Sequence, residues 1–590
     1  MKLTKEQREA VLYDQNTILS ACPGSGKTRV IISKIVRVLD EVRTTPRRVS
    51  CITYTNTAVH EIESRIQVHL QPDDERYFEV STIHSFCLNN IFRLFKHFVP
   101  GYETGFRVLT RETPDFERLV RAVWAKHNRV DIGYSDFEEF TQLRLDVTGE
   151  PVGNSIDRGA INAQVAKDYW ARIQAEGFID FANIVYQSLK LLREHAEILD
   201  YVSAKFAWIL VDEFQDTSDL QVEILSIIAA KGRTRLLLVG DQVQSIFRFA
   251  GARPDLADSF AKKINARTDI KLSGNFRSSK PIIAHAERLF SRNPPMAALG
   301  SSAEFTEKPE WWFGNRPFDV ITERFLPMLK KLSIPIGNAA ILAPTWFSLF
   351  PLGKLLRGAG IPIVGPGARP YRKGQFAPIA EAVCGYLMDS NGSGIASVEK
   401  ALFSTLLDTT GRPNFGIFSY RGRATAFRLI AIAKELRKTT PGAVPWLRAS
   451  ADAFSDVLIE EEYMSREEKQ IFALSVEAMN ADIIKNKIDP AGLSLDDLGI
   501  YASPNTALKL SSIHWSKGRE FDAVAMIDLH ERVIPSGYST STEDFAEQKR
   551  LFYVGVTRAR RYLLYVTERQ PRNGPSRYLL EADGVGFKAS

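Results

Sequence analysis

The sequence is poor in cysteine and has no long apolar run. None of its four cysteines stands in a C-x-x-C pair, which argues against a disulfide scaffold and against a cysteine-rich zinc module. No stretch of 18 apolar residues occurs, so we expect no membrane-spanning helix. The first residues, MKLTKEQREA, lack the apolar segment of a secretory signal. These absences favour a reducing compartment, and we expect a cytoplasmic protein.

The sequence also lacks a strong excess of positive or negative charge. The 76 Lys and Arg residues outnumber the 70 Asp and Glu residues by only six over 590 residues. This balance permits a nucleic-acid partner without establishing one. At roughly 150 residues per domain, the length predicts about four domains.

Short apolar runs alternate with helical patterns in the first third of the chain. Between Thr28 and Leu39, apolar residues recur at helical spacing. Such alternation predicts an α/β fold with a parallel sheet covered by helices on both faces. The runs of strand length are 17–21, 49–54, 80–83, 208–212 and 236–240.

Two long segments depart from this alternation. Residues 91–175 and 369–504 are largely helical in pattern, and we interpret each as an insertion into a core domain. The runs within 336–344 and 508–527 again predict buried strands. Residues 292–317, with their Pro, Gly and Ser, predict a loop.

The clearest motif is the run ACPGSGKT at 21–28, between a strand pattern and a helical one. Its glycines let backbone N–H groups turn toward phosphates, and the following helix N-terminus adds its dipole. Lys27 would reach the β- and γ-phosphates, and the Thr28 hydroxyl would ligate Mg²⁺. The motif therefore predicts a phosphate-binding loop made of Ala21, Cys22, Pro23, Gly24, Ser25, Gly26, Lys27 and Thr28.

A second motif, VDEFQD at 211–216, places two carboxylates at the end of an apolar run. Asp212 would hold Mg²⁺ opposite Thr28, and Glu213 would orient or deprotonate the attacking water. Alone, such a pair could be a solvated acidic turn. Beside the phosphate loop, it predicts a nucleotide hydrolase.

With these motifs, the chain resembles the superfamily 1 helicases of the UvrD, Rep and PcrA type. An ordered series of segments over nearly the full length carries the resemblance. After the two motifs above, these are TYTNTAVHEI (53–62), STIHSFC (81–87), IDFANIV (179–185), GDQVQSIFRFAGA (240–252), LSGNFRS (272–278), SSIHWSKGREFD (511–522) and EQKRLFYVGVTRAR (547–560).

The resemblance implies further residues for ATP. Gln7 would read the adenine, Arg29 and Phe276 would sandwich it, and Glu520 would contact the ribose. Gln244 is the centre of the coupling segment. Arg277 and Arg558 would close on the γ-phosphate, although either arginine alone would more often be a surface ion pair.

The same resemblance implies contacts to DNA. Three aromatic residues, Tyr54, Phe247 and Phe249, would stack on bases, a contact that tolerates any sequence. Core packing is the alternative for each ring. Thr55, Asn56, Thr82, His84 and His514 would hydrogen-bond phosphates. Single-stranded DNA and junctions between duplex and single strand are thus the expected partners.

The implied fold has two RecA-like P-loop ATPase domains, each with a mainly helical insertion. The expected boundaries are 1–90 with 176–278 for the first core and 279–368 with 505–590 for the second. The insertions are 91–175 and 369–504. The implied activity is ATP- and Mg²⁺-dependent movement along single-stranded DNA in the 3′→5′ direction, coupled to strand separation.

Departures from the family pattern keep alternatives open. Ala250 and Pro344 stand where relatives usually carry arginine, which puts DNA grip or coupling in doubt. One alternative is a translocase that displaces proteins without efficient unwinding. Another is the helicase subunit of an anti-phage pair with a nuclease partner, of the Gabija type. A third, a nucleic-acid-binding protein with a dead ATP site, conflicts with the intact Lys27 and Glu213.

Overall fold

The computed structural model describes residues 2–71, 73–111, 113–127, 131–388, 394–410, 414–569, 573–582 and 586–589. Contacts between residues divide the chain into two compact units. The first unit comprises Met1–Thr306 and Ser539–Thr557, and the second comprises Glu307–Tyr538 and Arg558–Ser590. No helix in the described ranges is long and apolar enough to cross a membrane.

The chain begins with three strands that alternate with helices, close to the predicted bounds. The capping box of Thr4 and Gln7 starts the first helix, and Thr55 caps the helix after the second strand. The elements are α1 (Lys5–Leu12), β1 (Thr17–Ala21), α2 (Lys27–Val42), β2 (Arg48–Thr53), α3 (Asn56–Ile66), β3 (Phe78–Thr82), α4 (Ile83–Cys87) and α5 (Arg93–Phe95).

The next segment is mainly helical and has its own apolar core, which includes Leu119, Tyr169 and Trp170. It also contains short strands that its sequence pattern did not predict. The elements are β4 (Arg107–Val108), α6 (Pro114–His127), α7 (Tyr134–Thr141), β5 (Arg144–Leu145), β6 (Pro151–Val152), α8 (Asn154–Asp157), α9 (Ala163–Ala175) and β7 (Phe178–Ile179).

Alternation of helix and strand then resumes. Asp180 caps the first of these helices, and Ser218 with Gln221 forms a capping box on the third. The elements are α10 (Phe181–Glu194), α11 (Ala196–Lys205), β8 (Phe206–Val211), α12 (Asp219–Ala230), β9 (Arg235–Gly240), α13 (Ala257–Lys263), β10 (Lys271–Leu272), β11 (Gly274–Asn275), α14 (Lys280–Leu289) and β12 (Ala297–Ala298).

The main sheet of the first unit has the order β10-β1-β9-β8-β2-β3, and all neighbouring strands are parallel. Strand β8 is wholly buried. Its Trp208 and Leu210 join the core on one face of the sheet, whereas Ile209 and Val211 join the core on the other. A strand buried on both faces needs the continuous apolar run that the sequence shows.

The second unit begins with a strand inside the segment predicted as a loop. Residues 297–298 form β12 and residues 310–313 form β13, so the loop prediction for 292–317 is wrong at both places. Strand β13 pairs with a distant strand rather than with a sequence neighbour. The elements are β13 (Glu310–Phe313), α15 (Pro317–Val320), α16 (Leu326–Lys331), β14 (Ala339–Ala343), α17 (Leu349–Gly358) and β15 (Ile363–Val364).

Between residues 377 and 499, every described element of more than four residues is a helix. These helices surround a separate core that includes Trp446, Phe454 and Phe472. The helices are α18 (Ala377–Met388), α19 (Gly394–Thr410), α20 (Tyr420–Thr439), α21 (Ala443–Glu460), α22 (Lys469–Lys485) and α23 (Leu495–Gly499).

The last elements are β16 (Leu508–Ser512), β17 (Phe521–Ile527), α24 (Thr542–Val556), β18 (Ala559–Thr567), α25 (Arg577–Glu581) and β19 (Gly586–Ala589). The second sheet has the order β15-β16-β14-β17-β18-β13-β19, again with parallel neighbours. Two parallel sheets with helices confirm the predicted α/β class. Helix α24 belongs to the first unit, and the predicted domain boundaries stay predictions.

Candidate functional site

One edge of the first sheet collects most of the predicted site residues. The phosphate loop follows β1, the acidic turn follows β8, and Tyr54 and Phe247 follow β2 and β9. Because these strands are parallel, their carboxyl ends meet at the same edge, where α/β proteins bind ligands. The sequence puts each of these segments after a strand, and the sheet order makes those strands neighbours.

The phosphate loop has the backbone that its glycines permit. Gly24 and Gly26 have φ angles of 67° and 78°, a left-handed conformation that other residues rarely adopt. A Cβ on Gly26 would lie 2.8 Å from the Gln7 side-chain nitrogen, so a larger residue there would also force the Gln7 side chain to move. The Gln7 side-chain amide donates to the Ser25 backbone carbonyl at 2.8 Å and so ties the loop to helix α1.

Lys27 pairs with Glu213 in this structure. Its ammonium lies 2.8 Å from the Glu213 carboxylate, so the phosphate loop and the acidic turn are in direct contact. Burial alone would lower the pKa of Lys27, but the negative charges of Glu213 and Asp212 outweigh it and raise the pKa. Lys27 is therefore held in its charged form where the phosphate loop meets the acidic turn.

The acidic turn is strained and firmly held. Glu213 has a φ angle of 52°, which is uncommon for a residue with a side chain and recurs at functional sites. Its carboxylate also accepts a bond of 2.6 Å from the Gln215 amide. Burial first, and then the Glu213 charge, raise the pKa of Asp212 to about 7. A cation beside Asp212 would favour its charged form.

A buried network behind the loop was missed by the sequence analysis. Arg292 donates to both Asp241 oxygens at 2.8 Å and to the Tyr553 hydroxyl at 3.1 Å. The amide of the predicted Gln244 donates to the same Asp241 at 2.7 Å. Arg292 lies in the segment interpreted as a loop, and no local pattern marks it. The Asp of the GDQVQ run is the one signal that could have pointed to this network.

The residues predicted for the adenine lie together at the other end of the loop. The Arg29 guanidinium is 5.2 Å from the centre of the Phe276 ring, too close for a base to lie between them. Arg29 is exposed, so a sandwich requires its side chain to swing away. Arg277 donates to the Thr557 carbonyl at 2.9 Å, and its Cβ would be only 2.6 Å from a Cβ on Gly24.

The three aromatic residues predicted for DNA form one cluster. The Tyr54 and Phe247 rings stack at 5.0 Å with 15° between their planes, and Phe249 meets Phe247 edge-on at 6.0 Å. Phe249 is 48% exposed. Burial and the nearby Asp216 raise the pKa of Tyr54 to about 12. About half of the Phe249 side chain is therefore open to solvent, whereas Tyr54 partly covers Phe247.

The polar residues predicted for phosphates begin two helices. Thr55 caps α3 and Thr82 caps α4, each through its side-chain oxygen, and Asn56 is exposed at the first position of α3. Helix N-termini present free N–H groups to anions. His84 lies near the exposed Phe181 ring, and burial lowers its pKa. At neutral pH it can donate one hydrogen bond but carries no charge.

The remaining predicted residues belong to the second unit. Arg558 is buried and donates to the Arg519 carbonyl at 3.1 Å. Glu520 forms an ion pair with Arg560. Burial, and then Lys517, lower the pKa of His514 to about 4, so it too is neutral at pH 7.

The donor set of the first unit fits Mg²⁺ bound together with a nucleotide. In the described ranges, no group of three or more His, Cys, Asp and Glu side chains forms a metal cluster. Mg²⁺ needs few protein oxygens, because water and substrate phosphates supply the rest. Asp212, buried at the end of β8, and Thr28, at the start of α2, offer such oxygens. The Ser25 hydroxyl is also buried, and it has no hydrogen-bond partner among the described residues.

Comparison with known proteins agrees with this geometry. Residues 3–265 match the UvrD/REP helicase N-terminal domain, and residues 449–570 match the UvrD-like helicase C-terminal domain. The chain is 26% identical to the ATP-dependent DNA helicase PcrA of Bacillus subtilis, covering 98% of this chain and 85% of the relative. It is 23% identical to the ATP-dependent DNA helicase Rep of Buchnera aphidicola, covering 98% and 96%. A probable DNA helicase II homolog of Rickettsia conorii is also 23% identical, with 98% and 95% covered.

The two matched regions and the alignment over 98% of the chain agree with the phosphate loop, the acidic turn and the parallel sheets described above. The chain belongs to the UvrD/Rep/PcrA type of superfamily 1 helicases.

Proposed function

We propose that the protein is an ATP-dependent DNA helicase that moves 3′→5′ along one strand and separates the duplex. One observation carries this proposal: a short bonded path connects the ATP-hydrolysing turn to the aromatic cluster. The Gln215 side-chain amide donates to Glu213, and the Gln215 backbone carbonyl accepts from the Ser245 hydroxyl at 3.1 Å. Phe247 follows two residues later. A change at the γ-phosphate therefore has a direct route to the DNA-binding rings.

The ATP chemistry follows from the residues at the sheet edge. The loop N–H groups and Lys27 bind the phosphates, and Glu213 orients and deprotonates the attacking water. Arg277 stabilises the charge that develops on the γ-phosphate, and Arg558 is proposed as the second such cation. Thr28 and Asp212 would hold Mg²⁺, which would neutralise phosphate charge. Gln7, Arg29, Phe276 and Glu520 are proposed to bind the nucleoside.

Lys27 must exchange partners during this reaction. In the structure the Lys27 ammonium donates a hydrogen bond to Glu213. While this bond lasts, Lys27 cannot bind a phosphate and Glu213 cannot act as the base. Nucleotide binding draws Lys27 to the phosphates and releases Glu213 toward the water. We infer that Glu213 becomes free to act on the water only after a phosphate has taken Lys27 from it.

The DNA grip combines stacking with phosphate contacts. Tyr54, Phe247 and Phe249 offer ring faces. At the same sheet edge, the starts of α3 and α4 carry Thr55, Asn56, Thr82 and His84. His514 is proposed to add a contact from the second unit. Neutral histidines contribute hydrogen bonds but little salt dependence, because counterion release follows cationic contacts.

Phe249→Ala is expected to weaken binding of single-stranded DNA about five- to 150-fold, the equivalent of one lost stacking contact of about 1–3 kcal/mol. The loss should be similar for all base sequences, because stacking does not read base identity. Fluorescence anisotropy with an oligo-dT strand and a mixed-sequence strand measures it, together with the DNA concentration that half-stimulates the ATPase. Phe98→Ala is the matched control, since this ring is 42% exposed and lies outside the cluster. Unchanged affinity together with a lower melting temperature would return Phe249 to a packing role.

Strand separation on tailed duplexes tests the function itself. With ATP and Mg²⁺, we expect unwinding of duplexes with a 3′ single-stranded tail and none with a 5′ tail. Unwinding of 5′-tailed duplexes alone would reverse the proposed direction. ATPase activity that single-stranded DNA stimulates, without unwinding of either substrate, would favour the protein-displacing translocase instead.

A further inference from the structure

Arg144 belongs to the mainly helical segment between β4 and β7, yet its side chain lies against the coupling segment, residues 240–252. Its guanidinium is 3.4 Å from the backbone carbonyl of Phe249, which follows 105 residues later in the chain. Gly251 leaves the space for this approach, because a Cβ on Gly251 would overlap the guanidinium. A Cβ on Gly153 would lie 3.3 Å from it. Two glycines therefore make room for this one arginine.

The positive charge of Arg144 has no close partner. Its bond to the Phe249 carbonyl is long, although a guanidinium can donate five hydrogen bonds. The Nε atom is buried, and it bonds no acceptor in the described part of the chain. Burial lowers the pKa of Arg144, and Asp219 and Asp157 oppose this effect, but neither carboxylate forms an ion pair with it. A half-buried cation without an anion costs free energy, so an anion that bound here would be favoured.

The two arginines of the adjoining chain are better compensated. Arg253 forms an ion pair at 2.7 Å with the carboxylate two residues later. Arg248 lies near the carboxylate of Glu547 on α24, which accepts a bond from its backbone N–H at 3.2 Å. Ala250, between these arginines, has no charge. Arg144 is therefore the cation beside this segment whose charge is left for a ligand.

The rings proposed to stack on DNA bases lie beside Arg144. Besides its bond to Phe249, its charge acts on the Tyr54 hydroxyl, where it opposes the rise in pKa that burial and Asp216 cause. Single-stranded nucleic acid is held by rings that stack on bases together with cations that follow the backbone. The planar fork of a guanidinium matches the oxygens of a phosphate.

The hairpin that carries Arg144 is anchored. Strand β5 pairs antiparallel with β6, and Asp146 closes the turn by accepting from the Thr148 backbone N–H at 2.8 Å. Arg193 of α10 donates to the Val147 carbonyl in the same turn at 2.7 Å. Little ordering is left for a ligand to impose, which lowers the cost of binding.

We propose that Arg144 binds a phosphate of the DNA strand whose bases stack on Tyr54, Phe247 and Phe249. The side chain is only half-buried, so a phosphate can reach it from solvent. The contact is made to the backbone of the strand and therefore does not depend on base sequence. The inference rests on the proposed function. It makes the segment between β4 and β7 part of the DNA-binding surface of the first unit.

Arg144→Gln is expected to reduce the steepness of log affinity against log salt by about 0.7, the value for one phosphate contact on a single strand. The same relation gives binding that is about fivefold weaker at 0.1 M salt and about threefold weaker at 0.2 M. Arg144→Lys, which keeps the charge, should keep the wild-type slope. Fluorescence anisotropy of labelled oligo-dT at several salt concentrations measures the slope on the full-length protein.

Arg172→Gln is the matched control, since Arg172 is a half-exposed arginine of α9 that pairs with Glu176 at 2.8 Å. It should bind DNA with the wild-type affinity and slope. An equal change of slope in the control would overturn the proposal. So would an Arg144→Gln protein that melts earlier but keeps the wild-type slope, because Arg144 would then only support the Phe249 backbone.

Neutral methylphosphonate linkages locate the contact on the DNA. One such linkage is moved along the 3′ single-stranded tail of a partial duplex, which fixes the register of the strand. In the wild type, one position should weaken binding about as much as Arg144→Gln does. In Arg144→Gln, the same position should have no further effect, because changes to two groups that touch are not additive.

The outcomes separate this inference from the proposed function. Additive losses at every linkage, with wild-type binding of the unmodified strand intact, would overturn the Arg144 contact and leave the proposed function standing. A wild-type protein that binds no single-stranded DNA would instead overturn the proposed function.

Discussion

Lys27→Ala is expected to lower DNA-stimulated ATP hydrolysis by at least about 10²–10³-fold, the range for removing one preorganised donor from developing negative charge. The fold should persist, because the Lys27 ammonium ends in a contact with Glu213 at a partly exposed site. Its loss opens no cavity in the apolar core. Steady-state phosphate release with saturating single-stranded DNA measures the rate, and thermal unfolding measures the stability.

Lys262→Ala is the control for this experiment, since Lys262 is an exposed lysine of α13 in the same unit. It should hydrolyse ATP at the wild-type rate. Wild-type turnover by Lys27→Ala, with an unchanged melting temperature, would contradict the assignment of residues 21–28 as the ATP-binding loop.

Glu213→Gln is expected to bind ATP and Mg²⁺ while hydrolysing ATP about 10²–10⁴-fold more slowly, the usual contribution of a general base. The substitution keeps the size of the side chain and an oxygen that can still accept from Gln215. It also removes the ion pair with Lys27, so nucleotide affinity should hold or rise. A fluorescent ATP analogue measures binding, and single-turnover hydrolysis measures the chemical step.

Asp212→Asn is the counterpart that separates the two carboxylates. It should lose Mg²⁺-dependent nucleotide affinity, because its oxygen is the proposed metal ligand. If Glu213→Gln loses nucleotide binding and Asp212→Asn keeps it, the two roles are exchanged. If both variants hydrolyse ATP normally, the acidic turn is a structural feature and the base lies elsewhere.

Local sequence patterns predicted the parts of the fold that depend on neighbours in the chain. The phosphate loop lies between β1 and α2 as predicted, and the acidic turn follows a strand buried on both faces. Strand β1 has the predicted bounds, and the other predicted strands of the first sheet begin or end within two residues of them. A strand buried on both faces requires a continuous apolar run, and a left-handed loop requires glycine. Both requirements are visible in the sequence.

What local patterns could not show depends on distant partners. Strand β13 is identifiable by its pairing with β18, more than 200 residues later, and not by its own four residues. Arg292 becomes part of the site because Asp241 and Tyr553 accept its bonds. Trp346 and Trp515 form one surface although about 170 residues separate them. The roles of the site residues remain predictions until the variants above are measured.

The return of residues 539–557 to the first unit has a consequence for how the protein is made. A ribosome adds roughly 5–20 residues per second, so the nascent chain waits roughly 10–50 s between residue 306 and the arrival of α24. During that interval Arg292 and Asp241 have each other but not the Tyr553 hydroxyl, and the carbonyl that Arg277 bonds has not been synthesised. The first unit is therefore completed only after residues 307–538 of the second unit have been synthesised, and β18, α25 and β19 of the second unit follow it. The surroundings of the phosphate loop are therefore incomplete on the growing chain until residue 557 has been synthesised.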